Sequence, residues 1–305
     1  MSEPVAIGID FGGTFLRAGL VGRQGLVSRF LKTSSRATEG ESGPVEAIDA
    51  AVQELVAFAG GSVAGVGIGS PGVIDPTTGS QVGETPHLPH WSDFPLRDRL
   101  GERLALPIVV DNDANLAALG EHRVGAARGA RVSITVTVGT GVGCGIVMDG
   151  RVLHGAWGGA GEIGHLPLGD GEITCRCGVE RCVEPEASGS GVRRIALARA
   201  LPFPEATAVF AAAVGGDREA GYLVDRLCDR LGAAVATAVN LINPEIVVVG
   251  GGLMEAGDLL LPRLLAAVNR YALASHRRGL RLVKAALGER AGVVGAGLAA
   301  WEACG

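Results

Sequence analysis

Apolar residues fall in short runs broken by glycine-rich or polar punctuation, and their period switches between two and about 3.6 along the chain. VAIGID, from Val5 to Asp10, is an apolar run ending in an acid. LRAGLV and LVSRFLK follow, separated by the turn-like Gly22-Arg23-Gln24-Gly25, so three strands joined by tight turns are predicted. Val45, Ile48, Val52, Leu55 and Val56 share one face at helical spacing, which predicts a helix over 44–59. VAGVGIG returns to strand. Residues 70–94, rich in Pro, Gly, Thr and His, read as a long loop. A short helix over 96–104, the buried strand PIVVDND and a helix beginning at Asn112 come next.

The second half repeats the theme. Val132 to Val138 is a strand ending at Gly139, and GIVMDGRVLHG is a hairpin turning at Asp149-Gly150. A Gly- and Cys-rich loop covers 155–182, a helix is predicted from Tyr222 to Asn240, and PEIVVVGGGL is a buried strand. A strand over 280–285 and a small-residue helix over 295–303 close the chain. The order strand–strand–strand–helix–strand thus appears twice, each time with a glycine loop after its first strand.

Composition narrows the classes. The 305 residues are 47% hydrophobic and 19% charged, enough for a sizeable core and two domains. A net charge of −5 weighs against a nucleic-acid binder. No apolar run reaches membrane-spanning length, so no membrane partner is expected. The opening MSEPVAIGID has no basic segment and no long apolar core, so no signal peptide is read and a cytoplasmic location is expected. Six Cys are too sparse for a disulfide scaffold, and three of them crowd into 175, 177 and 182.

Glycines mark candidate phosphate loops. Neither lysine, Lys32 or Lys284, completes a Walker A pattern. GxGxxG occurs at Gly67, Gly69 and Gly72, but it contains Pro71 and does not open a helix, so the dinucleotide reading lacks its context. Asp10-Phe11-Gly12-Gly13-Thr14 and Gly139-Thr140-Gly141-Val142-Gly143 suit better, each lying between two strands. Gly250-Gly251-Gly252 follows a third strand. Such turns bring backbone N–H groups and Thr hydroxyls to phosphate oxygens, and Asp10 is placed to hold Mg²⁺ through water. A plain hairpin turn accounts for any one of these loops; their recurrence favours phosphate binding.

Asp111-Asn112-Asp113-Ala114-Asn115 puts four polar side chains where a buried strand gives way to a helix. Helix capping explains one of them. A carboxylate there can accept a proton from a substrate hydroxyl, a role assigned to Asp113, with a neighbour expected to cap. His165, Cys175, Cys177 and Cys182 form H-x9-C-x-C-x4-C, a Cys3His set that suits tetrahedral Zn²⁺. Arg176, Glu180 and Arg181 argue against burial of these thiols. Cys144, Cys228 and Cys304 are expected in the core, and His122, His154 and His276 at the surface or in a hairpin. His87 and His90 flank the long loop and are candidates to face substrate, and Glu162 and Glu184 lie beside the zinc set.

Together these residues resemble the ROK family of bacterial sugar kinases and repressors. The resemblance rests on GIDFGGT (8–14), SPG (70–72), DNDANLAALGE (111–121), GTGVGCG (139–145), GGAGEIGH (158–165), CRCGVERCVE (175–184) and NPEIVVVGGGL (243–253). It implies an α/β, two-domain actin-like ATPase (ribonuclease H-like) fold with a central cleft: a smaller domain of residues 1–116 plus 292–305 and a larger one of 117–291. It implies an ATP-dependent hexose kinase acting on the 6-hydroxyl, closest to the glucokinase branch because of Glu162 before IGH. Mannose, fructose, allose, an N-acetylhexosamine or a polyphosphate donor stay open. Asp113 would be the base, and Gly72, Asn112, Glu162, His165 and Glu184 would hold sugar. Asp10, Gly12, Gly13, Thr14, Thr140, Gly141, Gly251 and Gly252 would serve ATP and Mg²⁺. His165 would bind a structural zinc through one nitrogen and sugar through the other. The resemblance and the apolar helices imply a homo-oligomer, a dimer or tetramer. Repressors of the family carry a DNA-binding domain before the first glycine motif, for which the position of Asp10 leaves no room. Phe15 and Arg181 depart from the pattern, which usually has Lys and Gly there.

Overall fold

Strand β1 (Val5–Phe11) buries both of its faces, which is why its apolar run is nearly unbroken. Ile7, Ile9 and Phe11 join a core with Ile48, Val52 and Leu55 of helix α1 (Ser42–Ala59). On the other face Ala6 packs with Ala300 and Trp301. The computed structural model describes residues 3–304. In it β2 (Phe15–Val21) and β3 (Val27–Ser34) complete the predicted antiparallel meander, and β4 (Val63–Ser70) lies parallel to β1.

Residues 70–94 are not a bare loop. They hold two small hairpins, β5 (Val73–Ile74) with β6 (Gln81–Val82) and β7 (Glu84–Thr85) with β8 (Leu88–Ser92). Strands of two residues leave too little periodicity to read from sequence. Trp91 anchors the segment, stacked on Phe94 at 4.2 Å and donating its indole N–H to the Glu41 carbonyl at 2.9 Å. Helix α2 (Leu96–Gly101), strand β9 (Ile108–Asn112) and helix α3 (Asp113–Val124) follow. The first sheet has the order β3-β2-β1-β4-β9.

Strands β10 (Val132–Val138), β11 (Val142–Met148) and β12 (Arg151–Val152) open the second sheet. Asp149 and Gly150 sit at φ +50° and +76°, the two left-handed residues that a type I′ hairpin requires. Helices α4 (Glu184–Ala187), α5 (Gly189–Ala198), α6 (Ala206–Val214) and α7 (Arg218–Ile242) precede β13 (Ile246–Gly250). Then come α8 (Gly257–Tyr271), α9 (Ala274–Arg277), β14 (Arg281–Lys284) and α10 (Ala291–Cys304). The order β12-β11-β10-β13-β14 matches the first sheet strand for strand, so the doubled pattern in the sequence is a doubled topology.

Two units result. Unit 1 takes the residues up to Gly129, Gly145–Ala160 and those from Leu287 on; unit 2 takes Ala130–Cys144 and Gly161–Ala286. The boundary expected after residue 116 falls inside the continuous helix α3, and the hairpin side of 145–160 groups with unit 1. In unit 1 the GxGxxG glycines serve packing. A Cβ at Gly67 would run into the Ala296 carbonyl of α10, and Gly72 sits at φ +88°. Among the described residues no helix is long and apolar enough to cross a membrane.

Candidate active site and metal centre

In unit 1 the end of β9 feeds directly into α3. Asn112 has an extended backbone, and its Oδ1 accepts from the N–H groups of Ala114 (2.9 Å) and Asn115 (3.1 Å). It is therefore the N-cap, the neighbour expected to take that role. Its Nδ2 donates to the Gly72 carbonyl at 2.9 Å, so the SPG turn and the cap fix one another. Asp111 is buried and committed. Its Oδ1 accepts from the Asn112 N–H (2.7 Å) and the Asn115 amide (3.0 Å), and its Oδ2 meets His154 Nε2 at 2.7 Å. That hydrogen bond holds the His154 imidazole above its ordinary pKa, against the opposing pull of burial. Asp113 opens the helix, half-buried, its Oδ1 accepting the Ala114 N–H at 2.8 Å. Gly69 makes room for it, since a Cβ there would stand 3.2 Å from the Asp113 Cα.

Asp10, next to last in β1, lies opposite Arg17, with Nη1 to Oδ2 at 3.3 Å. Burial pushes its carboxyl above the usual range, and Arg17 pulls it back. A carboxylate so incompletely balanced fits a cation. The Gly12 N–H is spent on the turn, donating to the Phe15 carbonyl at 3.0 Å. Gly13 is approached by His87, whose Nδ1 lies 3.3 Å from where a Cβ would be. The imidazole thus stands against the first glycine loop, whereas His90 is exposed. Phe15 lies under the Lys32 ammonium at 5.1 Å, and Lys32 and Arg17 both reach Glu289.

In unit 2 the Gly139 N–H closes its own turn onto the Gly141 carbonyl at 3.0 Å. The start of α5 braces that loop: Gly189 N–H donates to the Gly139 carbonyl (2.8 Å) and the Ser190 hydroxyl to the Thr140 carbonyl (2.6 Å). Gly251, at φ +88°, lies against the Val138 backbone with no space for a side chain, while Gly252 faces open space.

The cysteine loop of unit 2 closes on itself. One ligand atom from each of His165, Cys175, Cys177 and Cys182 lies within 4.8 Å of the others. Cys177 Sγ to Cys182 Sγ is 3.6 Å, and Cys175 Sγ to His165 Nδ1 is 3.7 Å. Two thiolates tetrahedrally bound to Zn²⁺ at about 2.3 Å stand about 3.8 Å apart, so the donor set fits that ion. The charged neighbours do not keep the thiols out of the interior: Cys175 and Cys182 are buried and only Cys177 is exposed. Arg176 and Glu180 turn to solvent around them. His165 turns Nδ1 to the cysteines and leaves Nε2 3.7 Å from Glu162 Oε2. Burial raises the Glu162 pKa most, Glu184 adds to the rise, and His165 opposes it. Glu184 Oε2 accepts the Val142 N–H at 2.9 Å.

Elsewhere, Cys144 and Cys228 are buried as expected, their thiols pushed up to about 12 by burial. Cys304, in the last turn of α10, is exposed although its thiol reaches the Ala64 carbonyl of β4 at 3.3 Å, and His122 is buried in α3. Glu186, Arg226 and Arg230, which no motif signals, form an ion network beneath the cysteine loop.

The ROK family model matches residues 6–302. The chain is 37% identical to the glucokinase of Halalkalibacterium halodurans over 97% of this chain and 95% of that protein. Among solved structures, a ROK family glucokinase from Streptomyces griseus in complex with glucose and AMPPNP superposes with a TM-score of 0.87 at 33% identity, covering 98% of this chain and 99% of that one. The ROK hexokinase from Thermus thermophilus gives a TM-score of 0.85 at 35% identity, covering 98% of each chain. With the motifs, the doubled sheet and these full-length likenesses in hand, the chain belongs to the ROK family and has its actin-like α/β fold.

Proposed function

We infer that this chain is an ATP-dependent glucose kinase, transferring the terminal phosphoryl group of ATP to the sugar 6-hydroxyl. The observation that carries this reading is the chain-long likeness to glucokinases combined with an Asp113 that opens α3 beside a committed Asp111 and a capping Asn112. Asp113 accepts the proton of the attacking hydroxyl late in a loose transition state. Asn112, Gly72, Glu162, His165 and Glu184 hold the remaining hydroxyls. Glu184 keeps one oxygen for the Val142 N–H and offers the other to sugar. Selectivity comes from leaving such buried polar groups unpaired when the wrong epimer enters.

Gly13, Thr14, Thr140, Gly141 and Gly252 receive the nucleotide phosphates, and Gly12 and Gly251 give those loops their shape. Mg²⁺, when bound, supplies positive charge to the phosphates, and Asp10 is the residue that would hold it through water. Zinc is the ion we assign to the cysteine loop, and with four protein ligands its role there is structural. Leu241, Leu265, Tyr271 and Leu273 are exposed along α7, α8 and the residues after it, which supports a homo-oligomer. Sedimentation showing only monomer at micromolar concentration overturns that assignment.

A coupled ADP-release assay across a hexose panel tests the activity, with glucose expected first. Asp113→Asn should lower kcat by about a hundredfold or more while glucose still binds, the size expected for losing a general base. Retention of more than about a tenth of wild-type kcat, a loss under about 1.4 kcal/mol, removes Asp113 from the role.

A further inference from the structure

Beneath the cysteine loop lies a neutral network of three arginines (Arg199, Arg226, Arg230) and three carboxylates (Asp170, Glu172, Glu186), all within unit 2. Arg226 and Arg230 project from successive turns of the long helix α7. The Arg226 side chain is 6% exposed, and its guanidinium meets Asp170 and Glu172 at 2.7 Å each and Glu186 at 3.3 Å. Arg230 meets Glu186 at 3.0 Å and donates to the Leu168 carbonyl at 3.4 Å. The Glu186 side chain is 1% exposed, and its Oε1 also accepts the Asp170 N–H at 2.7 Å.

The positions of these acids matter. Leu168, Asp170 and Glu172 lie on the leg that leaves His165, and Glu186 lies on the leg that returns from Cys182. Glu186 shares the single turn of α4 with Glu184. The two α7 arginines therefore tie both legs of the loop to one rigid helix. The legs are further zipped to one another by Val183 N–H to the Leu166 carbonyl (3.1 Å) and Gly169 N–H to the Arg181 carbonyl (2.7 Å). Arg226 and Glu186 are the buried members of the network, and removing a partner of either leaves it as incompletely paired buried charge. None of the six charged groups is a metal ligand or one of the proposed sugar ligands.

We propose that Arg226 and Arg230 are positioning residues of the sugar site: by clamping both legs of the cysteine loop to α7 they hold Glu184 and the four metal-ligating side chains in place. The sugar part of this assignment rests on the function proposed above; the metal part does not.

The test uses the zinc-loaded full chain. Arg226→Met and Arg226→Lys are compared with wild type for the rate at which a chromophoric chelator strips zinc, for glucose KM and for ATP KM. Arg226→Met should lose zinc about tenfold faster or more and raise glucose KM by a similar factor, with ATP KM within about twofold; supporting groups around metal ligands typically act at this scale. Arg226→Lys should restore part of each effect. Because Arg226→Met can cost folding, Asp170→Asn, at a partly exposed member, is read in parallel and should move zinc release and glucose KM in the same directions by a smaller factor. Wild-type zinc release and glucose KM in Asp170→Asn, or equal rises of both KM values in Arg226→Lys, overturn the clamp. If the chain does not phosphorylate glucose, the zinc-release arm still decides the metal part, so the two failures are distinguishable.

Discussion

Arg181 holds a left-handed backbone at φ +60°, which explains why the family pattern usually places glycine there. For a residue with a Cβ that conformation costs about 1 kcal/mol. The side chain offsets it: Arg181 Nε donates to the Gly169 carbonyl at 2.9 Å, a charged hydrogen bond worth about 1.5 kcal/mol when partly buried. Two terms of similar size predict that Arg181→Gly changes stability by less than about 1 kcal/mol, whereas Arg181→Ala keeps the strain, loses the bond and falls below both. Thermal unfolding with zinc saturating ranks the three, and an alanine variant as stable as the glycine variant refutes the account. His154 carries a pH prediction. Its pKa is raised by the hydrogen bond to Asp111, so the native state holds that proton more tightly than the unfolded chain. The contribution is fully present below the ordinary imidazole value of about 6.5 and is lost as pH rises through the native value. The stability difference between wild type and His154→Gln should therefore shrink from about pH 6 to about pH 9, and a difference that is flat or grows contradicts the pairing.

At the scale of elements, α10 is the clearest case of backbone set against backbone. A Cβ at Gly8 or Gly67 of the sheet would strike the Val293 or Ala296 carbonyl of that helix, and one at Gly295 would strike the Leu116 carbonyl of α3. These contacts leave no flexible side chain to give way. Gly67→Ala should cost more than about 2 kcal/mol, the upper range of overpacking, and denaturant unfolding measures it. Gly101, in α2, has nothing within 4 Å of the place an added methyl would take, so Gly101→Ala should be neutral or gain up to about 1 kcal/mol from helix propensity. Equal effects at the two positions would show that close approach is not what Gly67 provides. Such glycines are visible in the sequence as a high count, but the partners of Gly8 and Gly67 come from a helix more than about 200 residues away, beyond any local pattern. The short hairpins of 70–94 are hidden for a different reason: three of their four strands are two residues long, too short to show alternation.

At the scale of the whole molecule, the zinc proposed for the cysteine loop would link loop, helix and chemistry. One zinc per chain is expected on metal analysis. Cys177→Ala should lower that content and raise glucose KM about tenfold or more, since a ligand is lost from a loop that carries His165 and leads into Glu184, while ATP KM moves by less than about twofold. Full glucose affinity in zinc-free protein would separate the cysteines from the sugar site. Acid should release the ion, because all three thiols must be deprotonated to bind.

The sequence by itself determined the strands of the two five-stranded sheets, helices α1, α3, α7 and α10, the doubled order of elements, the glycine loops, the acids where β9 meets α3 and the His/Cys cluster. Those features are local: they depend on periodicity, turn chemistry and residue types a few positions apart. Only the tertiary structure decided which polar residue near Asp113 caps and which pairs with His154. It alone brought Arg226 and Arg230 beneath Glu186, buried Cys175 and Cys182 despite their charged neighbours, and exposed Cys304. Each of those outcomes depends on which groups share a low-dielectric interior, and sequence separation says nothing about that until the chain has folded.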